Sequence, residues 1–402
     1  MHPQPEMDDR VPSRPAGVVI LGGAHGTLAL TRSLGIQKVP VWLVSNDTPL
    51  PSFSRYARRT MTWPGPDDDG AAAFLLDLAK VEGLGGFLLI AGGDPEVRFV
   101  SQSIDQLSAV FDVVLPRWER LKWVCEKPLL YRRARELGLA VPLTYEITSL
   151  EQARTAELRF PVILKPNMGG RSRFARAKAV LTNDLQSFLT AYTWGAEEIG
   201  SENIVVQEMI PGGGESQFSY AALWNEGAPV AEFTARRTRQ YPVDFGYTST
   251  FVEVVDEPQL IDAARRLLGS IGHHGLVEVE FKRDARDGSM KVLDVNPRPW
   301  TWFRLGAAAG VDLGAMLWAI KSGQTVQAAS ARPNTSWMYL VRDMVAAGKL
   351  ISSRRLTKRA YLGSFATVKA WADFTASDPV PALIDIPLTA WRVLTRRILR
   401  LR

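Results

Sequence analysis

Hydrophobic and polar positions fall into distinct textures along this chain of 402 residues. VVILGGAHGTLALTRSLG (18–35) reads as a buried strand, a glycine turn and a helix, and VPVWLVS (39–45) as the next strand, a β-α-β beginning. GGFLLIAGGDPEVRFV (85–100) predicts another strand, ending in a loop that carries Asp94. From Trp118 the texture changes, and WERLKWVCEKPLLYRRARELGLAVP (118–142) predicts one helix with Lys127 near a turn, ending at Gly138. FPVILKPNMGGRSRFARAK (160–178) is an apolar strand ending at Lys165, then a loop of Gly169, Gly170, Arg171, Ser172 and Arg173. NIVVQEMIPGGGESQFSYAALW (203–224) is a strand, a glycine-rich link and a second strand, with Glu208 and Glu215 bracketing the link.

The densest chemistry lies in VEVEFKRDARDGSMKVLDVNPRPW (277–300). Val277, Val279 and Phe281 fall on one face of a strand, and Glu278, Glu280 and Lys282 on the other. Leu293 and Val295 then oppose Asp294, Asn296 and Arg298, and the intervening ARDG supplies turn formers, so the segment predicts a hairpin. With an odd-numbered loop centred on Asp287, Glu280 stands opposite Asp294. Two carboxylates facing across a ladder repel, which calls for a cation between them. Oxygen donors from Glu, Asp and Asn suit Mg²⁺ or Mn²⁺, and Arg298 adds a fork for phosphate oxygens. An ordinary hairpin with a solvated polar face satisfies the same spacing.

Composition narrows the class. The length implies two or three domains, and 46% hydrophobic with 22% charged residues is globular. The start MHPQPEMDDRVPSRP lacks the basic region and apolar core of a signal peptide, so residues 1–17 are expected to be a loose tail. The apolar window Leu305 to Ile320 contains Asp312 and follows Arg304, a poor membrane span. Cys125 alone and four histidines argue against a disulfide framework or zinc, and fit a reducing cytoplasm. Net charge is +6, but RVLTRRILRLR at the end supplies five arginines and no acid, so the excess is local and no nucleic-acid partner is expected. Gly22, Gly23 and Gly26 match no dinucleotide fingerprint, and no G-x-x-x-x-G-K-[ST] loop is present. Those glycines either bind an anion at a helix start, which would bring Gly23 and His25 to a substrate, or form a tight turn. SFSRYARR (52–59), with Arg55, and the loop of Asp94 could each line a substrate pocket. His273 and His274 are expected at the start of the hairpin's first strand.

The order of these parts, from Lys127 to about Asp312, resembles the ATP-grasp superfamily. In that family an early lysine, a strand-end lysine, a glycine-rich flap, a Q-E-x-I hinge, a ribose glutamate and a vEf…E-x-N-P-R hairpin follow one another. The resemblance implies that Lys127 and Lys165 hold ATP phosphates beneath the flap of Gly169, Gly170, Arg171 and Ser172. Gln207, Glu208 and Ile210 would frame the adenine, Glu215 the ribose, Glu280, Asp294 and Asn296 the metal, and Arg298 the transferring phosphoryl group. VAEFTARRTRQYPVDFGYTS (230–249) further resembles carboxylate-amine ligases similar to D-aspartate ligase, where a basic run lies over the phosphates, which adds Arg237 and Arg239 as catalytic candidates. Arg237 stands where those proteins usually have lysine, and Asp294 where glutamate is commoner. The implied reaction phosphorylates a substrate carboxylate and joins the acyl phosphate to an amine, as when D-aspartate is attached to a cell-wall precursor. A catalytically idle nucleotide-binding scaffold and a phosphotransferase without an amine acceptor are the alternatives.

The expected architecture is α/β (α+β): an ATP-grasp fold over 118–325, in subdomains 118–195 and 196–325, preceded by a Rossmann-like α/β domain over 18–117 and followed by a basic, mostly helical extension over 326–402. In IPLTAWRVLTRRILRLR (386–402), Leu388, Trp391, Leu394, Ile398 and Leu401 recur at helical spacing. The helix would either dock on the body or lie on an anionic membrane, which keeps peripheral membrane contact open for a cytoplasmic protein. The expected partners are ATP, Mg²⁺ or Mn²⁺, a small carboxylate and a small amine, and a homodimer through the first domain follows from the resemblance.

Overall fold

The computed structural model describes residues 14–46, 50–167, 172–177, 179–243 and 248–393. Five parallel strands open the fold, in the spatial order Ala57–Met61, Val41–Val44, Val18–Leu21, Leu88–Ala91, Asp112–Val113. The three central ones are buried along their whole length, as helix-covered parallel strands require. The strand order reverses between Val18–Leu21 and Leu88–Ala91, so a crevice opens beyond their carboxyl ends, at the turns of Gly22–Gly23 and Gly92–Asp94.

The glycines of that turn serve geometry. Gly22 and Gly23 have φ of 64° and 80°, and a Cβ on Gly23 would lie 2.1 Å from Thr27 Oγ1 and 2.5 Å from the Gly92 carbonyl. On helix His25–Ile36, a Cβ on Gly26 would meet the Pro299 carbonyl at 2.5 Å. Gly22 and Gly23 are thus required by the turn, and the close approach at Gly26 sets this helix against the chain just beyond Arg298.

The single helix expected over 118–138 is two, Trp118–Cys125 and Lys127–Glu136, broken at an extended Glu126. Pro128 is the cause: it lacks an N–H and its ring clashes with the preceding turn, but it fits the first turn of a new helix. The break puts Lys127 at a helix start.

A four-stranded sheet follows, Thr144–Tyr145, Ile204–Glu208, Val162–Pro166 and Val180–Thr182 in spatial order, under helix Leu185–Ile199, whose start is closed by an Asp184–Ser187 capping box. The largest sheet has seven strands in the order Met290–Asn296, Gly275–Arg283, Gln217–Asn225, Ala228–Tyr241, Thr248–Val255, Ser336–Met338, Val368–Trp371. Val277, Val279 and Phe281 are fully buried in a core shared with Leu121, Tyr131 and Leu268. The extension beyond 326 is helical, with Leu340–Ser352, Lys358–Ser364 and Val380–Val393, and it also lends the sheet its last two strands.

Candidate active site

The hairpin does place Glu280 opposite Asp294 and Glu278 opposite Asn296, but by a different route. Its loop is even-numbered, residues 284–289, and a register shift between Glu280 and Phe281 leaves Leu293 as an extra residue in the return strand. The bulge restores the carboxylate pairing and puts Val292, not Leu293, in the core. The Tyr131 hydroxyl donates to the Leu293 carbonyl at 2.8 Å and so fixes the bulge.

The polar side chains converge. Asn296 Nδ2 donates to Glu278 Oε2 (3.1 Å) and Glu280 Oε1 (3.0 Å), while its Oδ1 accepts from Arg298 Nη2 (3.0 Å). Arg298 Nε donates to Asp94 Oδ1 at 2.5 Å, which joins the hairpin to the crevice of the parallel sheet. Lys127 Nζ contacts Asp294 Oδ2 at 3.0 Å, and Arg237 Nη2 lies 3.4 Å from Glu280 Oε2. Asp94, Cys125, Lys127, Asp294, Asn296 and Pro297 line one cleft.

Electrostatics mark the cleft as strained. Burial, then Glu280, holds the Glu278 carboxyl well above the usual carboxylate range, although Ser219 Oγ donates to it at 2.9 Å. Burial and the nearby Lys127 ammonium push Lys165 down to about 8. Burial lowers Lys127 too, but Asp294, Tyr131 and Asp94 together outweigh it and the net shift is upward. Two carboxylates and an amide face one another with cations on their rim. This donor set fits Mg²⁺, which takes one or two protein carboxylates and completes its shell with water and phosphate oxygens. Among the described residues no group of three His, Cys, Asp or Glu side chains forms a ready-made metal cluster.

The remaining expected residues divide. Gln207 is buried, its Nε2 on Thr144 Oγ1 (3.1 Å), and Ile210 is buried beside it in the hinge. The Glu208 carboxylate accepts from Leu143 N–H (2.9 Å), Lys291 Nζ (2.7 Å) and Arg286 Nη2 (2.6 Å), so it ties the end of its strand to the hairpin turn. Glu215 accepts from Gly213 N–H at 3.0 Å, and Lys282 Nζ donates to the neighbouring Gly212 carbonyl at 2.8 Å. Ser172 Oγ accepts from Ala175 N–H, a helix cap, and Gly169, Gly170 and Arg171 lie outside the described residues. Asp94 is brought into the cleft.

Four expectations are redirected. A register shift between Arg237 and Arg239 turns Arg239 to the opposite face, where it grips Asp343. His25 packs on Tyr339 with Nε2 3.8 Å from Asp385 Oδ1, and Arg55 donates its backbone N–H to Asp378 at 2.9 Å, so both meet the extension. Gly23 sits in the tight turn already filled by Thr27 and Gly92.

The alternation already sets Glu278 and Lys282 on the face of Glu280 without giving either a role, whereas Arg355 is not disclosed by the sequence. A Cβ on Gly213 would meet Arg355 Nη2 at 2.7 Å and Glu215 Oε2 at 2.6 Å, so this arginine of the extension reaches the loop of Glu215. Local pattern carries no signal for such a contact.

A family model for the ATP-grasp domain matches residues 124–302. No curated protein matches. Among solved structures, an L-amino acid ligase from Bacillus licheniformis is similar at 14% identity and TM-score 0.62, over 81% of this chain and 79% of that one. The biotin carboxylase domain dimer of Hydrogenobacter thermophilus 2-oxoglutarate carboxylase, in complex with MgADP, ADP and bicarbonate, is similar at 14% identity and TM-score 0.62, over 81% of this chain and 74% of that one. N5-carboxyaminoimidazole ribonucleotide synthetase from Thermus thermophilus is similar at 14% identity and TM-score 0.58, over 79% and 81%. The chain has the fold that these structures share.

Proposed function

We propose that this chain, with its ATP-grasp domain over residues 124–302, is an ATP- and Mg²⁺-dependent ligase that joins a small carboxylic acid to an amine. The observation that carries the reading is the convergence of Glu280, Asp294 and Asn296 from two paired strands, ringed by Lys127, Lys165, Arg237 and Arg298. Bound Mg²⁺ would offset phosphate charge at Glu280 and Asp294.

The chain's own groups supply position and charge. Lys127 and Lys165 hold phosphate oxygens as point charges, and Arg298, anchored by Asp94, presents its planar fork where a carboxylate oxygen attacks the γ-phosphorus of ATP. That attack forms the acyl C–O–P link and breaks the γ-phosphorus bond to the bridging oxygen of ADP. The amine nitrogen then attacks the acyl carbon, phosphate leaves, and the amine surrenders a proton as the amide forms. Amino acids are the substrate class favoured by the likeness to an L-amino acid ligase and by the carboxylate-amine ligase motif around Arg237. A homodimer belongs to the same proposal, and sedimentation velocity would check it.

The test is phosphate release from ATP and Mg²⁺ against a panel of acids with and without amines, with Glu280→Gln as control. Release that needs both an acid and an amine and vanishes in the control is expected. Release with an acid alone, accompanied by a stable phosphorylated product, would replace the ligase with a phosphotransferase.

A further inference from the structure

Charge is divided unevenly along the chain. Residues 326–402 hold thirteen Lys and Arg against four acids, while the first 325 residues hold 35 against 38. All four acids of the extension are buried. Asp343 takes Arg239, Asp378 takes Arg32 Nε (2.9 Å) and Ser54 Oγ (2.7 Å), Asp385 takes the Tyr339 hydroxyl, and Asp373 lies beneath Arg32, which donates to its carbonyl at 2.7 Å. Lys349, Arg354, Lys358, Arg359 and Lys369 are exposed, so the outer surface of the described extension is cationic and carries no acid.

That surface is also greasy. Nine of the fourteen exposed large hydrophobic side chains among the described residues belong to the extension. Helix Leu340–Ser352 buries Asp343, Ala346 and Ala347 and exposes Leu340, Val341, Met344 and Val345, a stripe at helical spacing that runs on to Lys349. Helix Val380–Val393 buries Asp385 and exposes Val380, Leu383 and Ile386. Because the Tyr339 hydroxyl bonds Asp385, the first stripe begins one residue from a junction whose other partner lies between Leu383 and Ile386.

We propose that this extension docks the protein on an anionic phospholipid surface. Acidic headgroups complement a face stripped of its own acids, and aliphatic side chains among the cations enter the boundary between headgroups and acyl chains. A nucleic-acid strand would be met by aromatic stacking platforms, but the exposed side chains are aliphatic apart from Phe374. No helix among the described residues is long and apolar enough to cross a membrane, so the contact is peripheral. Docking of the last helix on the body and contact with lipid use opposite faces of that helix.

The experiment is co-sedimentation of the full chain with phosphatidylcholine vesicles, with and without about one third phosphatidylglycerol, at about 0.1 and 0.5 M salt. Binding to the anionic vesicles that weakens with salt is expected. Met344→Ser with Leu383→Ser should weaken it about tenfold or more, and Arg354→Ser with Lys358→Ser and Arg359→Ser by a similar factor. All five side chains are exposed, so thermal melting should not move. No binding at low salt, equal binding to neutral vesicles, affinity untouched by the Met344 and Leu383 changes, or tighter binding to a single-stranded oligonucleotide would each overturn the proposal.

Discussion

Arg237 and Arg239 lie two residues apart on one strand and meet carboxylates on opposite faces of the sheet. Arg239 is saturated: Nε donates to both oxygens of Asp343 (2.9 and 3.1 Å), Nη2 donates to Oδ2 (2.8 Å) and to Ser364 (3.1 Å), and the guanidinium lies 4.1 Å from the Phe251 ring. Arg237 stands 3.4 Å from Glu280 and donates to Gln217, while Glu280 shares its charge with Asn296 and faces Asp294. A closed, bidentate and aromatic-covered pair holds elements together. A cluster of two facing carboxylates, an amide and an arginine at a cleft is, under the proposed function, where charge would be shared with a ligand.

The largest expected difference comes from neutralising each side. Under the proposed function, Glu280→Gln should lower turnover about 10²–10³-fold, because it removes a pre-placed charge where phosphoryl transfer would develop charge. Its melting temperature should stay level or rise, since the repulsion of Glu278 and Asp294 is relieved. Arg239→Ala should do the reverse. It leaves Asp343 buried without its counter-ion, so stability should fall by about 3–5 kcal/mol, and turnover per folded molecule should hardly change. Denaturant melts beside phosphate-release assays read both, and a catalytic collapse in Arg239→Ala with intact stability would break the contrast.

How much of this contrast the sequence alone discloses depends on how local its cause is. Period-two alternation put Glu280 and Asp294 on one face, and the pairing stands, yet the assumed odd loop is an even loop corrected by the bulge at Leu293. A bulge leaves no mark in a string of alternating residues, which is also why Arg239 looked like a companion of Arg237. Proline chemistry was available at Pro128, and it cuts a helix that apolar periodicity alone runs together. The Arg298–Asp94 bond and the reach of Arg355 to the loop of Glu215 join segments far apart in the chain. Only the folded arrangement of the sheets brings them together.

A middling effect should appear with pH. Burial and Lys127 bring Lys165 down to about 8, whereas ATP phosphates bound to it would raise it again. Binding then takes up a proton, so ATP affinity is full below pH 8 and falls as pH rises through and beyond it, by at most about tenfold per unit. Calorimetry near pH 8 in buffers of different ionisation enthalpy should register that uptake, and Lys165→Met should abolish it together with most of the affinity. A proton release in place of uptake would place Lys165 away from the phosphates.

The smallest effect sharpens the comparison most, because one substitution can be made on both sides. Arg→Lys keeps the charge but replaces a planar fork by a point charge. At Arg237, where the resembling ligases usually carry lysine, the contacts include a 3.4 Å approach to Glu280 and a hydrogen bond to Gln217, each of which a point charge can make. Arg237→Lys should therefore cost no more than about a fewfold loss in kcat/KM, with stability unchanged. At Arg239 three hydrogen bonds to Asp343 use the fork itself and the ring of Phe251 covers its face. Arg239→Lys should lower the melting temperature clearly while turnover per folded molecule persists. If both substitutions cost activity and neither costs stability, the two arginines share one role, and the bulge between them does not divide a site from a structural anchor.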